Sequence, residues 1–247
     1  MIRSKDSHKI KEARELLKKR QAAPVEGKKL VLEILQTELK PLALFLREED
    51  SEIESLAQKK GINPLFVTEK LLKSLSELKT PPGQLLLVKP PSWMERNWKR
   101  VVILERVQDP TNVGSIIRTA YCLGYDAIYS DLETAYPYTG KVIRTSSGYA
   151  LRIPFLRIKD LRQKIRLLAK QLEIIGTFPE NGEPLEGFRT GKNFAVVFGN
   201  ESQGISSELN SLIKRRISIP MKRGESLSVS ASAAIILYFL SKSQSFP

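Results

Sequence analysis

One histidine and one cysteine occur in 247 residues, His8 and Cys122. A single cysteine excludes an intramolecular disulfide framework and a cysteine-cluster zinc site. A histidine-dependent hydrolase or a histidine-ligated metal would have to rely on His8, in a polar N-terminal stretch, so the expectation is chemistry without a metal. Proton movement then falls to Arg, Lys, Glu, Asp, Tyr, water or the substrate itself. No apolar run is long enough to span a bilayer. The start, Met1-Ile2-Arg3-Ser4-Lys5-Asp6, lacks the apolar segment of a secretory signal, and cytoplasmic residence away from membranes is expected. A Gly-x-Gly-x-x-Gly fingerprint and a Walker sequence are both missing, which counts against a dinucleotide-dependent dehydrogenase and a nucleotide-phosphate cradle. Acidic residues are the scarcer charge, 27 against 40 Lys and Arg, for a net +13. The surplus is spread along the chain, +5 over residues 1–90 and +8 over 91–247. Such a balance attracts polyanions by counterion release and points to a nucleic-acid partner.

The first ninety residues read as a small α/β unit. Lys9 to Arg20 is a basic amphipathic helix with Ile10, Ala13, Leu16 and Leu17 on one face. Its other face carries Lys9, Lys11, Arg14, Lys18, Lys19 and Arg20, which suits either solvent or RNA phosphates. Helices are expected over 28–38, 51–60 (Ser51 as cap, Glu54 completing the box) and 69–78. Strands are expected at 42–46, 65–67 and 85–88. Lys89-Pro90-Pro91-Ser92 is stiff and polar and is read as a linker, which sets the domains at 1–92 and 93–247.

Beyond Val101 strands and helices alternate again, which implies a parallel sheet covered on both faces, with ligands at the carboxyl ends of its strands. Three polar clusters fall at such ends. The first, Asp109-Pro110-Thr111-Asn112-Val113-Gly114-Ser115-Ile116-Ile117-Arg118-Thr119-Ala120, opens a helix with Asn112 as its expected cap. The second, Phe198-Gly199-Asn200-Glu201-Ser202-Gln203-Gly204, places a glycine directly after an apolar strand, where backbone can approach a ligand closely. The third runs from Ile219-Pro220-Met221 to Ser226-Leu227-Ser228-Val229-Ser230. There proline stops a strand, a serine (226 or 228) caps the helix that follows, and a polar loop between them leaves backbone groups accessible.

In this order the clusters resemble the three motifs of the SpoU (TrmH-type) RNA 2′-O-ribose methyltransferases, over roughly residues 99–243. The N-terminal part is similar, more loosely, to the substrate-binding domain of rRNA-modifying members. The resemblance implies an α/β domain with a parallel sheet and a C-terminal trefoil knot, a small N-terminal α/β RNA-binding domain, S-adenosylmethionine as methyl donor, no metal, and a homodimer. Carried over residue by residue, it implies Arg118, Asn112, Glu201 and Ser226 as catalytic positions and Gly199, Ile219, Leu227, Met221 and Thr177 as cofactor positions. The expected reaction is methylation of a ribose 2′-hydroxyl in structured RNA, with rRNA ahead of tRNA. The chain departs from the family at Ser228, where Ser-Leu-Asn is usual. That departure keeps a second reading in view, an RNA-binding assembly factor with impaired turnover.

Overall fold

The computed structural model describes residues 7–224 and 226–242. The start, Met1 to Asp6, on which the missing leader was read, and Glu225 in the third cluster lie outside them. In chain order the elements are α1 (His8–Lys18), β1 (Ala23–Glu26), α2 (Lys28–Leu35), β2 (Pro41–Leu46), α3 (Ser51–Lys59), β3 (Leu65–Phe66), α4 (Glu69–Lys73) and β4 (Gln84–Val88). There follow β5 (Arg100–Leu104), α5 (Pro110–Cys122), β6 (Ala127–Ser130), α6 (Gly140–Thr145), β7 (Phe155–Arg157), α7 (Leu161–Leu168) and β8 (Glu173–Thr177). The last are β9 (Glu183–Pro184), β10 (Phe194–Phe198), α8 (Ser207–Asn210), β11 (Arg215–Ser218) and α9 (Val229–Lys242).

Two compact units result. One holds the described residues through Ser92 together with Tyr138–Leu151; the other holds Trp93–Pro137 and the described residues from Arg152 on. The first unit carries a four-stranded sheet in the order β1-β4-β2-β3. Ile10 and Ala13 of α1 pack on it with Phe45, Leu71, Leu72, Leu85 and Leu87, so the apolar stripe read in α1 is its buried face. The segment 138–151 belongs to this unit because α6 packs on β1 and because Gly148, at φ +79, lies so close to Leu30 that a Cβ would stand 2.6 Å from Leu30 Cδ1. Neither α6 nor β1 is legible as an element in the sequence: Gly140-Lys141 opens a six-residue helix, and Ala23-Pro24-Val25-Glu26 carries a proline that demotes a strand.

The second unit is a seven-stranded, wholly parallel sheet in the order β7-β6-β5-β10-β8-β11-β9. All five residues of β10 are buried, as a strand covered on both faces requires. Alternation sends Val101, Ile103, Ala195 and Val197 to one face, against Leu161 and Ile165 of α7 and Leu209 of α8. On the other face Phe194 meets the edge of Tyr125, whose hydroxyl donates to the Leu237 carbonyl of α9 at 3.0 Å, and α5 packs against α9.

Four local expectations are corrected. Asp50, not Ser51, caps α3: its side chain accepts from Ile53 N–H at 3.3 Å while Glu54 Oε1 accepts from Asp50 N–H at 2.9 Å. Asp109, not Asn112, caps α5, with Pro110 as the first helical residue, where a missing N–H costs nothing. The alternation beyond Val101 also leads one to expect a helix from Ser206 to Lys214, but only the short α8 forms before β11. The helix expected over 69–78 stops at Lys73.

Glu26 supplies a test of the first unit. Its Oε2 accepts from Ser76 Oγ at 2.6 Å, while its Oε1 is buried with no hydrogen-bond partner among the described residues. Burial pushes its carboxyl above the usual range, against the Ser76 hydrogen bond and with help from the like charge of Glu77. A carboxylate raised on folding favours the folded state only at low pH and costs stability once pH passes its folded pKa. Glu26→Gln should therefore raise Tm by about 2–4 °C at neutral pH. In thermal melts across pH the gain should vanish below about pH 4, where the wild-type group is already protonated.

Candidate active site

Three strands end on one cavity. The carboxyl ends of β8, β10 and β11, with the start of α9 above them, enclose about 210 Å³. Its lining includes every residue expected at the cofactor: Thr177 at the end of β8, Gly199 after β10, Ile219 and Met221 after β11, and Leu227 before α9. Phe178, Pro179, Phe198, Val229 and Ile236 make the rest of the wall largely apolar. Thr177 is held by its hydroxyl, which donates to the Val197 carbonyl at 2.9 Å. Gly199 faces a loop that closes on itself: Asn200 and Gly204 exchange backbone hydrogen bonds of 3.0 and 2.9 Å. A Cβ on Gly199 would lie 2.3 Å from the Gly204 carbonyl carbon, so glycine is required there by backbone and not by a movable side chain.

Of the expected catalytic set, Asn112 and Glu201 meet directly, and Ser226 shares the cavity wall with Glu201. Because Asp109 does the capping, the Asn112 amide is free to work elsewhere. Asn112 Nδ2 donates to Glu201 Oε1 at 3.0 Å, and Ser230 Oγ donates to Asn112 Oδ1 at 2.8 Å. Ser230 Oγ lies 3.3 Å from Ser228 Oγ, and Ser228 in turn accepts from Ala231 N–H at 3.2 Å, which caps α9. The departure from the family motif thus sits at a cap, where serine serves as well as asparagine. Glu201 and Ser226 both line the cavity.

Arg118 does not. It lies six residues, about 9 Å of helix rise, beyond Asn112 on a different face of α5. Its side chain is exposed and has no hydrogen bond or ion pair among the described residues. In the first unit Lys9, Lys11, Lys18, Lys19 and Arg20 are exposed along and just after α1, whereas Arg14 is half-buried and donates to Ser74 Oγ at 2.8 Å.

Sequence reasoning missed Ser230 and Asn200. Ser230 occupies the second position of α9, two residues from its cap, where a hydroxyl reads as a routine helix start. Asn200 shapes the second loop by accepting from Ser202 and Gln203 N–H at 2.9 and 3.0 Å. A second, wider cavity of about 860 Å³ opens at the carboxyl ends of β5, β6 and β7. Glu105, Asp131, Glu133, Asp160 and Glu208 line it beside Arg106, Lys159, Arg162 and Lys164. That mixture of signs is a poorer match to a phosphate chain than a uniformly basic face.

Residues 99–238 match the family model described as SpoU rRNA Methylase family. The chain belongs to the SpoU rRNA methylase family. Residues 24–94 match a second model, RNA 2′-O ribose methyltransferase substrate binding. The chain is 28% identical over 97% of its length to the 23S rRNA (guanosine(2553)-2′-O)-methyltransferase RlmP of Bacillus subtilis, 98% of which is covered. It is 30% identical over 56% of its length, and 57% of the relative's, to the 23S rRNA (guanosine-2′-O-)-methyltransferase RlmB of Bordetella pertussis. Its fold is similar to that of an AdoMet-bound rRNA methyltransferase from Sinorhizobium meliloti, with a TM-score of 0.82 at 23% identity, covering 96% of this chain and 95% of that one. The SpoU methyltransferase AviRb from Streptomyces viridochromogenes in complex with AdoMet gives a TM-score of 0.78 at 24% identity, covering 93% and 92%. The resemblance read in the sequence, the α/β class and RNA 2′-O-methyl transfer agree with these matches.

The SpoU cavity predicts its own sensitivity to one methyl group. Gly199→Ala should displace the 199–204 loop and weaken S-adenosylmethionine binding at least about tenfold, roughly 1.4 kcal/mol, in a calorimetric titration, while the sheet signature in circular dichroism is kept. An unchanged affinity would show that the cavity does not depend on the closed 199–204 loop.

Proposed function

We propose that this SpoU-family chain methylates a ribose 2′-hydroxyl in large-subunit rRNA, acting in the cytoplasm as a homodimer with a knotted C-terminal domain. One observation carries the reading: the loops after β8, β10 and β11 meet at one cavity, and a hydrogen-bonded Glu201–Asn112–Ser230 chain joins its rim to the starts of α5 and α9. The cavity fits the proposed donor by its chemistry. Phe178, Phe198, Ile219 and Leu227 offer apolar walls to an adenosine, backbone groups around Gly199 offer polar contacts, and Glu201 is the carboxylate at the rim. S-adenosylmethionine supplies an electrophilic methyl group when bound, so no metal is needed to activate it.

The chain's own part is to position the ribose and stabilise the charge that appears as its proton departs. A ribose hydroxyl becomes a competent nucleophile only as its proton departs. The Arg118 guanidinium stabilises the developing alkoxide, while the neighbouring RNA phosphate relays the proton to solvent. Asn112 and Glu201 hold each other and orient the sugar, which supplies the alignment on which in-line transfer depends.

The dimer explains where Arg118 stands. It projects from the exposed side of α5 near Tyr121, and α9, packed on α5, leaves Ile235 and Tyr238 exposed at 41% and 48%. Large apolar side chains repeated at i and i+3 on an exposed helix favour a partner. A second copy packed there brings its Arg118 to this cavity. Support for the knot is topological: the chain enters β10 between β5 and β8, passes beyond β8 to β11, and then returns to α5 through α9. The exposed lysines of α1, just before the stretch that matches the substrate-binding model, supply a surface for RNA phosphates. Among the described residues no helix is long and apolar enough to cross a membrane, and no group of His, Cys, Asp and Glu is arranged to hold a metal.

Incubation with tritiated S-adenosylmethionine and an unmodified 23S rRNA transcript should place label on a ribose 2′-oxygen. Arg118→Ala should lower kcat by about 10²–10³-fold with donor affinity unchanged. Absence of label from wild-type reactions, with the donor bound, would leave the assembly-factor reading in possession.

A further inference from the structure

Arg106 follows β5 with φ +54, a left-handed conformation in which a Cβ crowds the next carbonyl and which glycine or asparagine adopts more readily. An arginine persists in such a place only where its surroundings hold it. Its N–H donates to Asp131 Oδ2 at 2.8 Å. Its carbonyl accepts from Asn200 Nδ2 at 2.9 Å, and its Nη1 donates to Gln203 Oε1 at 2.8 Å. Nε is buried, makes no hydrogen bond among the described residues and lies 4.0 Å from Glu105 Oε1. Glu105, only 6% exposed, accepts from Ser206 N–H at 2.8 Å. One strained residue and its neighbour therefore grip the 199–206 loop through Asn200, Gln203 and Ser206, and Glu201 hangs between the first two grips.

We infer that Arg106 is a positioning residue for methyl transfer: a clasp that holds the Gly199–Gly204 loop in the one shape that presents Glu201 to Asn112. This rests on the methyl-transfer reading of the cavity. Arg106 is not part of that cavity's lining; it acts through Asn200 and Gln203, whose contacts fix the loop on both sides of Glu201. The arginine is retained in an unfavourable backbone conformation because the residues that suit the conformation cannot reach Gln203. Asparagine and glycine satisfy the backbone but are too short, so fold and activity make opposite demands on this position.

The test uses the full chain with Arg106→Asn, Arg106→Gly, Arg106→Met, Gln203→Ala and the Arg106→Met/Gln203→Ala double variant. Melting temperature, calorimetric Kd for S-adenosylmethionine, kcat and KM on an unmodified 23S rRNA transcript, and hydrogen exchange at the Ser202 and Gln203 amides are measured. Arg106→Asn and Arg106→Gly should melt at or above the wild-type temperature, yet kcat should fall about tenfold or more with KM for RNA within about threefold. The double variant should be no slower than the worse single one, because both remove the same contact. The Ser202 and Gln203 amides should exchange about tenfold faster. A merely structural residue would lose stability and activity together. Unchanged kcat in Arg106→Asn, or fully additive losses in the double variant, overturns the inference. If the wild-type chain itself transfers no methyl group, the methyl-transfer reading fails on its own, and exchange then decides the clasp: undisturbed Ser202 and Gln203 amides in Arg106→Asn overturn it.

Discussion

The hydrogen bond from Asn112 Nδ2 to Glu201 Oε1 joins residues 89 positions apart, and the arrangement of the site depends on it. An asparagine amide bonded on both sides, to a carboxylate and to the Ser230 hydroxyl, has a fixed orientation. It links the start of α5, the loop after β10 and the start of α9. The sheet makes this linkage available. With β5 and β10 adjacent and parallel, the loops that leave their carboxyl ends emerge side by side, and α9 returns to pack on α5. Each loop is then stabilised locally, by Asp109 at one helix start, by Asn200 within the second loop and by Ser228 at the last helix.

Division of labour among similar residues follows from who does the capping. Had Asn112 capped α5, as its residue type suggests, its side chain would have been spent on backbone N–H groups. Asp109 takes that duty three residues earlier, and the asparagine becomes available to the site. At α9 the same logic separates Ser228, bound to the helix backbone, from Ser230, bound to Asn112. A Ser-Leu-Ser sequence in place of Ser-Leu-Asn therefore keeps the cap, and the change that motivated an impaired factor falls on a residue whose contact here is with its own helix.

Much of this was legible in the residues. The apolar runs 101–104 and 194–198 are strands because both faces of a parallel sheet are buried, and glycine after the second marks close backbone approach. The cofactor positions, drawn from a resemblance to known motifs, all line one cavity, since each lies at a strand's carboxyl end or a helix start. What stayed illegible is tertiary in origin. No local pattern shows that Tyr138–Leu151 joins the first unit, because that depends on Gly148 fitting against Leu30. Nor does the sequence signal that Arg106 adopts a left-handed backbone, a conformation imposed by partners at Asp131 and Asn200. The place of Arg118, expected at the site from the resemblance, was not legible either: helical geometry turns it to the exposed side of α5, away from Asn112.

The most direct test follows backbone amide signals of the full chain during titration with S-adenosylmethionine. The structure predicts that Thr177, Gly199, Ile219 and Leu227 shift together and saturably, while Asp131, Glu133 and Lys164 in the wider cavity stay unmoved. Shifts confined to that second cavity, or none at the first, would contradict the claim that the three loops meet to seat the methyl donor.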